Sequence, residues 1–178
     1  MSQGEKERIA VDGLDPDFKF EVAREPGGEL IVRCFACGTC SASCPVRQVN
    51  DRFNPRRIIH MVLLGLKEKV LTDDFVWLCA GCFSCQERCP QGVKIGDLMT
   101  ALRNIAVREG HIHPSFTAQM ELLGKAGRLM EIGDFENKKR ARFGLPAIRQ
   151  DASEVCLLLE KSGVLSPQNE KEQDEKVK

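Results

Sequence analysis

Apolar residues recur at helical spacing in two long stretches of the chain. Ile58, Ile59, Val62, Leu63 and Leu66 form one stripe, opened by Asn54 as a capping residue and Pro55 at the first helical position. Ile95, Leu98, Met99, Leu102, Ile105 and Ala106 form the other, closed by Gly110 as a C′ residue. Between them, Thr72-Asp-Asp74 offers a cap and first-turn acids for a short helix carrying Phe75, Val76 and Leu78. Further on, Pro114 starts a helix with Phe116, Met120 and Leu123 on one face, and Asp151 caps a last one from Val155 to Leu159, ended by Gly163. Near the start, Phe18-Lys-Phe-Glu-Val22 alternates apolar and polar residues. Pro26-Gly-Gly28 signals a turn and Leu30-Ile-Val32 is a short apolar run, so the pattern there predicts a small β-hairpin. From Ser166 to Lys178 the chain is almost wholly polar, which predicts a mobile tail. The expected organisation is mainly α: an N-terminal segment (1–16), a helical domain (17–130), a helical extension (131–165) and the tail (166–178).

Composition narrows the function classes. The 178 residues carry 26 basic and 26 acidic side chains, a formal charge of zero that lacks the basic footprint of a nucleic-acid binder. The basic run Lys138-Lys-Arg-Ala-Arg142 has no interleaved stacking aromatics and reads as a solvated or partner-docking segment. Ile58 to Leu66, the longest apolar stretch, is broken by His60 and falls far short of the roughly 20 residues that span a bilayer. The charged start, Met1 to Arg8, lacks the apolar region of a secretory signal, and the expected compartment is the cytoplasm. A reducing cytosol disfavours disulfides, which makes metal ligation the leading explanation for nine cysteines.

Eight of the nine form an internal repeat. Cys34, Cys37, Cys40 and Cys44 precede Pro45, and Cys79, Cys82, Cys85 and Cys89 precede Pro90, each 45 residues after its counterpart (34 to 79, 44 to 89). This C-x2-C-x2-C-x3-C-P run is an iron–sulfur pattern whose fourth cysteine ligates the other cluster in two-cluster proteins. Three thiolates at three-residue spacing wrap three corners of a 4Fe-4S cube, while the proline pushes the fourth cysteine towards an extended conformation and out of the local turn. The expected ligand sets are Cys34, Cys37, Cys40 and Cys89 for one cluster and Cys79, Cys82, Cys85 and Cys44 for the other. Losing either cluster should loosen the whole domain, because ligands from distant segments couple metal binding to folding. Zinc favours two cysteine pairs per tetrahedral site, and a CxxC redox pair would leave six cysteines without a role.

Eight thiolates and two oxidised cores sum to about −4, and about −6 once both cores are reduced. Arg33, Arg47, Arg52, Arg56, Arg57, Arg88 and Lys94 lie close in sequence and are candidates to stabilise that charge or to form a docking face, against the plainer reading of solvated surface residues. Gly38 and Gly81 would let backbone N–H groups approach the sulfurs; Phe35, Trp77 and Phe83 are candidates to exclude water or simply to pack the core. His60, His111 and His113 are read as non-ligands and Cys156 as a small buried hydrophobe.

The stretch from Arg33 to Pro45, the intervening Asn54-Pro-Arg-Arg-Ile58, the stretch from Trp77 to Pro90, and Asp97-Leu-Met followed by Leu102-Arg-Asn104 together resemble the C-type iron–sulfur component of heterodisulfide reductase, over approximately residues 18 to 110. The resemblance implies an α-helical ferredoxin fold with two 4Fe-4S clusters. It further implies a subunit without catalytic residues of its own, relaying electrons from a flavin-containing A-type subunit to a B-type subunit that reduces a disulfide, with hydrogenase or formate dehydrogenase reached through the A-type subunit. An iron–sulfur sensor, or a ferredoxin-like subunit of another dehydrogenase complex, is the competing reading. A chain that reduces a substrate by itself finds no nucleotide-binding glycine loop to support it.

Overall fold

The computed structural model describes residues 11–149 and 151–163, so the expected tail at 166–178 lies outside the described residues. Phe18 and Val22 sit one turn apart and fully buried on the first helix, α1 (Phe18–Arg24), while Phe20 between them is 47% exposed. The hairpin expected here is therefore replaced by a helix, and the described residues contain no strand. Five alternating residues fit both periods, since positions i and i+4 share a face in a helix as well as in a strand. The turn at Pro26-Gly-Gly28 is present, with Gly28 N–H donating to Glu25 O at 2.9 Å, but it leads into a 3₁₀ turn at Ile31–Arg33.

After the first two cysteines, the single-turn α2 (Thr39–Ala42), which carries Cys40, passes to α3 (Pro45–Val49), which the proline after Cys44 opens. Next comes α4 (Pro55–Leu63), capped as expected: Asn54 Oδ1 accepts from Arg57 N–H at 3.1 Å. A helix that the apolar pattern does not mark, α5 (Lys67–Thr72), follows and buries Val70 and Leu71. The segment expected to carry Phe75 and Val76 is a 3₁₀ turn, Asp74–Leu78, capped by Asp73 Oδ1 on Phe75 N–H at 3.2 Å. The short α6 (Ser84–Glu87) then repeats α2, and α7 (Ile95–Arg108) carries the second long stripe.

Leu98, Leu102 and Ile105 of α7 are fully buried, each burial being worth about 1.5–3 kcal/mol. α7 packs on α1 and α5, α4 packs on α1 and α5, and α2 lies against α6. Lys67 ties three elements together, its ammonium 2.8 Å from Glu21 and 2.7 Å from Glu109, and the two carboxylates, Glu109 first, hold its proton more tightly than usual.

The chain divides into two compact units, Met1–Ile112 and His113–Lys178. The second holds α8 (Pro114–Ala126), α9 (Asp134–Arg142) and α10 (Ser153–Lys161), with α8 against α10. His113 Nδ1 caps α8 by accepting from Ser115 N–H at 3.2 Å, and Cys156 Sγ donates to Gly124 O at 3.1 Å. No helix among the described residues is long and apolar enough to cross a membrane.

Candidate metal centres

The two cysteine loops share one backbone path. Ala36 (φ 59°) and Gly81 (φ 62°) occupy equivalent left-handed positions, as do Gly38 (φ 87°) and Phe83 (φ 59°). Each loop uses glycine at one of its two positions and tolerates roughly 1–2 kcal/mol of strain at the other. Left-handed residues interleaved with ordinary ones turn successive N–H groups into a common concavity, an arrangement suited to anions. Observed twice, 45 residues apart, that strain marks a geometry the site requires.

Each loop borders a cavity. The first is lined by Cys34, Cys37, Cys40 and Cys89; the second is lined by Cys79, Cys82, Cys85 and Cys44. Three thiols of one motif thus meet the fourth of the other, in both directions. Ile59 and Val93 wall the first cavity, Phe83 and Met99 wall the second, and Ile95 lines both. None of the nine cysteines is in a disulfide. A ring of thiols around open space suits a polynuclear centre.

The thiols differ in environment. Cys40 and Cys44 are buried, Cys37 and Cys82 are exposed, and the other four lining cysteines are half-buried. Thr39 Oγ1 lies 3.4 Å from Cys37 Sγ, and hydrogen bonds from the Thr39 side chain and backbone pull the Cys37 pKa down, helped by Arg56. Ser84 plays the matching part, its Oγ 3.7 Å from Cys82 Sγ, with its backbone N–H lowering that pKa most. Burial pushes Cys40 up, and pushes Cys85 up to about 11 with Cys79 and Cys40 adding to the effect. Ionisation is thus easier at the exposed Cys37 and Cys82 than at Cys40 and Cys85, where burial opposes it.

Second contacts brace the loops. Ser41 Oγ donates to Asn54 Oδ1 at 2.6 Å and accepts from Arg56 N–H at 3.0 Å, fastening α2 to the start of α4. Arg103 of α7 does the corresponding work for the second loop: its Nε donates to Val76 O at 3.0 Å, its Nη2 donates to Cys79 O at 2.8 Å, and the guanidinium lies 5.9 Å from the Trp77 ring centroid. Sequence reasoning quoted Arg103 within Leu102-Arg-Asn104 as part of the family resemblance but gave it no role at the second loop.

Of the basic candidates, Arg56 alone lines one of the two thiol cavities. Arg52 pairs with Asp73 at 3.4 Å and Asp74 at 4.0 Å; Arg33, Arg57, Arg88 and Lys94 are exposed and Arg47 is half-buried. Among the aromatics, Phe83 walls the second cavity, Trp77 packs against the core, and Phe35 is 60% exposed. Gly96, at the start of α7, also lines that cavity and admits the Phe83 ring, whose Cδ1 lies 2.6 Å from where a Cβ would stand. No histidine lines either cavity.

A duplicated cysteine loop feeding two four-thiol cavities defines an iron–sulfur protein. A family of 4Fe-4S dicluster domains matches residues 31–93, and the chain carries two 4Fe-4S clusters. It belongs to the heterodisulfide reductase C-type family, iron–sulfur electron-transfer subunits of an oxidoreductase. It is 36% identical over 145 residues to the C-type subunit of the H(2):CoB-CoM heterodisulfide,ferredoxin reductase of Methanothermobacter thermautotrophicus, covering 82% of this chain and 77% of that protein. The C-type subunit of the ferredoxin:CoB-CoM heterodisulfide reductase of Methanosarcina mazei is 37% identical over 130 residues, covering 73% and 80%. The C-type iron–sulfur subunit of the CoB-CoM heterodisulfide reductase of Methanopyrus kandleri is 33% identical over 147 residues, covering 79% and 76%.

Proposed function

We propose that this chain is the cytoplasmic electron relay between a flavin-containing A-type subunit and a disulfide-reducing B-type subunit of a heterodisulfide reductase complex. In this reading Cys34, Cys37, Cys40 and Cys89 hold one cluster and Cys79, Cys82, Cys85 and Cys44 the other, and the chain has no catalytic residue of its own. The observation that carries it is the pairing of two cavities, each lined by three thiols of one motif and the fourth of its counterpart.

Such clusters supply one-electron storage and transfer. The chain's residues supply the rest. Eight thiols anchor, and the left-handed positions of the loops favour backbone that presents N–H groups to an anion. Ile59, Val93, Met99 and Phe83 keep water from the inner walls, a lever on potential. Ile95 lines both cavities. The exposed Cys37 and Cys82 mark where each centre comes nearest to solvent and hence to a partner. Hydrogen figures in the name of the Methanothermobacter relative, which supports a hydrogenase feeding the A-type subunit.

Anaerobic affinity purification tests the reading. The expected result is about eight irons and about eight labile sulfides per chain, with A-type and B-type subunits bound. One zinc and no labile sulfide, or a chain that binds neither subunit, overturns it.

A further inference from the structure

Arg103 stands out among the charged residues near the two centres. It is half-buried, none of the ion pairs among the described residues includes it, and its two hydrogen bonds go to backbone carbonyls, one of them that of Cys79. A partly buried guanidinium without a carboxylate is costly unless an anion lies near enough to offset its desolvation. The first cavity has no counterpart at this place. Forty-five residues earlier stands Ile58, 1% exposed, and the cation on that side is the exposed Arg56, whose own repeat mate is the buried Ala101.

We propose that Arg103 is a positioning residue for the second centre: it fixes the Cys79 arm of the loop and holds a half-buried positive charge there, raising the reduction potential of that cluster relative to a chain without the charge. The proposal rests on the ligand sets given above. Reduction adds one negative charge to the centre, so a cation a few ångströms from a ligating residue favours the reduced state, and partial burial protects the interaction from salt. Arg56, being exposed, is screened far more.

The test is an EPR-monitored redox titration of the anaerobically purified full chain with both clusters, in wild type, Arg103→Gln and Arg103→Lys. The wave of the second centre is first identified by Cys82→Ser, whose altered ligand shifts it. Arg103→Gln should lower the reduced-to-oxidised ratio of that wave about tenfold at a fixed ambient potential, a shift of about 59 mV for a one-electron couple. The other wave should stay in place, Arg103→Lys should recover most of the shift, and the difference should persist at high salt. A wave that does not move in Arg103→Gln, both waves moving together, or Arg103→Lys behaving like Arg103→Gln overturns the proposal. Should Arg103→Gln fail to retain its cluster, Arg103→Lys decides: a wild-type potential supports the charge, and a fully shifted one refutes it. A wild-type chain lacking two one-electron waves refutes the ligand assignment itself, which separates the two failures.

Discussion

Replacing Asn54 with alanine removes two contacts at the junction between the first cysteine loop and α4. The Oδ1 atom accepts from Arg57 N–H at 3.1 Å and from Ser41 Oγ at 2.6 Å. Loss of the cap costs about 1 kcal/mol. Ser41, 8% exposed, is then left with a buried hydroxyl hydrogen and no acceptor, which costs a further 1–3 kcal/mol or so. The sum, about 2–4 kcal/mol, corresponds to roughly 10–20 °C for a unit of about 100 residues. The assay is thermal bleaching of the visible iron–sulfur absorbance, read at one scan rate because cluster loss makes unfolding irreversible. Asn54→Asp keeps the acceptor and should stay close to wild type, and Ser41→Ala combined with Asn54→Ala should cost less than the two single changes added. A midpoint within 2 °C or so of wild type for Asn54→Ala, or an aspartate variant as labile as the alanine one, refutes the reasoning.

Gly65 and Gly81 share positive φ, 80° and 62°, but only Gly65 faces backbone: a Cβ there would stand 2.2 Å from Asp15 O, while Gly81 has nothing within 4 Å. Gly65→Ala should therefore prevent stable folding, and Gly81→Ala should cost only about 1 kcal/mol, as the alanine at the equivalent position 36 already suggests; expression yield and bleaching midpoint report both. Glu25 is held below its ordinary value of 4.5, chiefly by its hydrogen bond to Arg108. A depressed carboxyl pKa stabilises above the unfolded value and stops doing so as the pH falls through the folded one, so the gap in unfolding midpoint between wild type and Glu25→Gln should be constant from about pH 7 to 5 and close below 4.5. Cys156→Ala, which loses one contact to Gly124 O in the second unit, should leave iron and sulfide content unchanged.

Elements with both a periodic stripe and an end signal were legible in the sequence. Asn54-Pro55 marked the start of α4, and Pro114 and Gly163 marked boundaries in the second unit. The hairpin failed because Phe18 and Val22 are too few positions to separate a period of two from one of 3.6. The helix α5 has only two buried residues, adjacent in sequence, and therefore no periodicity to detect. The eight cysteines of the repeat line the two cavities. Their bracing was hidden: Arg103 reaches back 24 residues to Cys79, and Ser41 reaches 13 forward to Asn54, contacts that only the folded chain brings together.

Anomalous iron density from crystals grown without oxygen tests the ligand exchange between the two motifs most directly. The account predicts two four-iron centres, one bonded to Cys34, Cys37, Cys40 and Cys89 and the other to Cys79, Cys82, Cys85 and Cys44. Iron centres bonded to the four cysteines of a single motif, or isolated ions in their place, would contradict it.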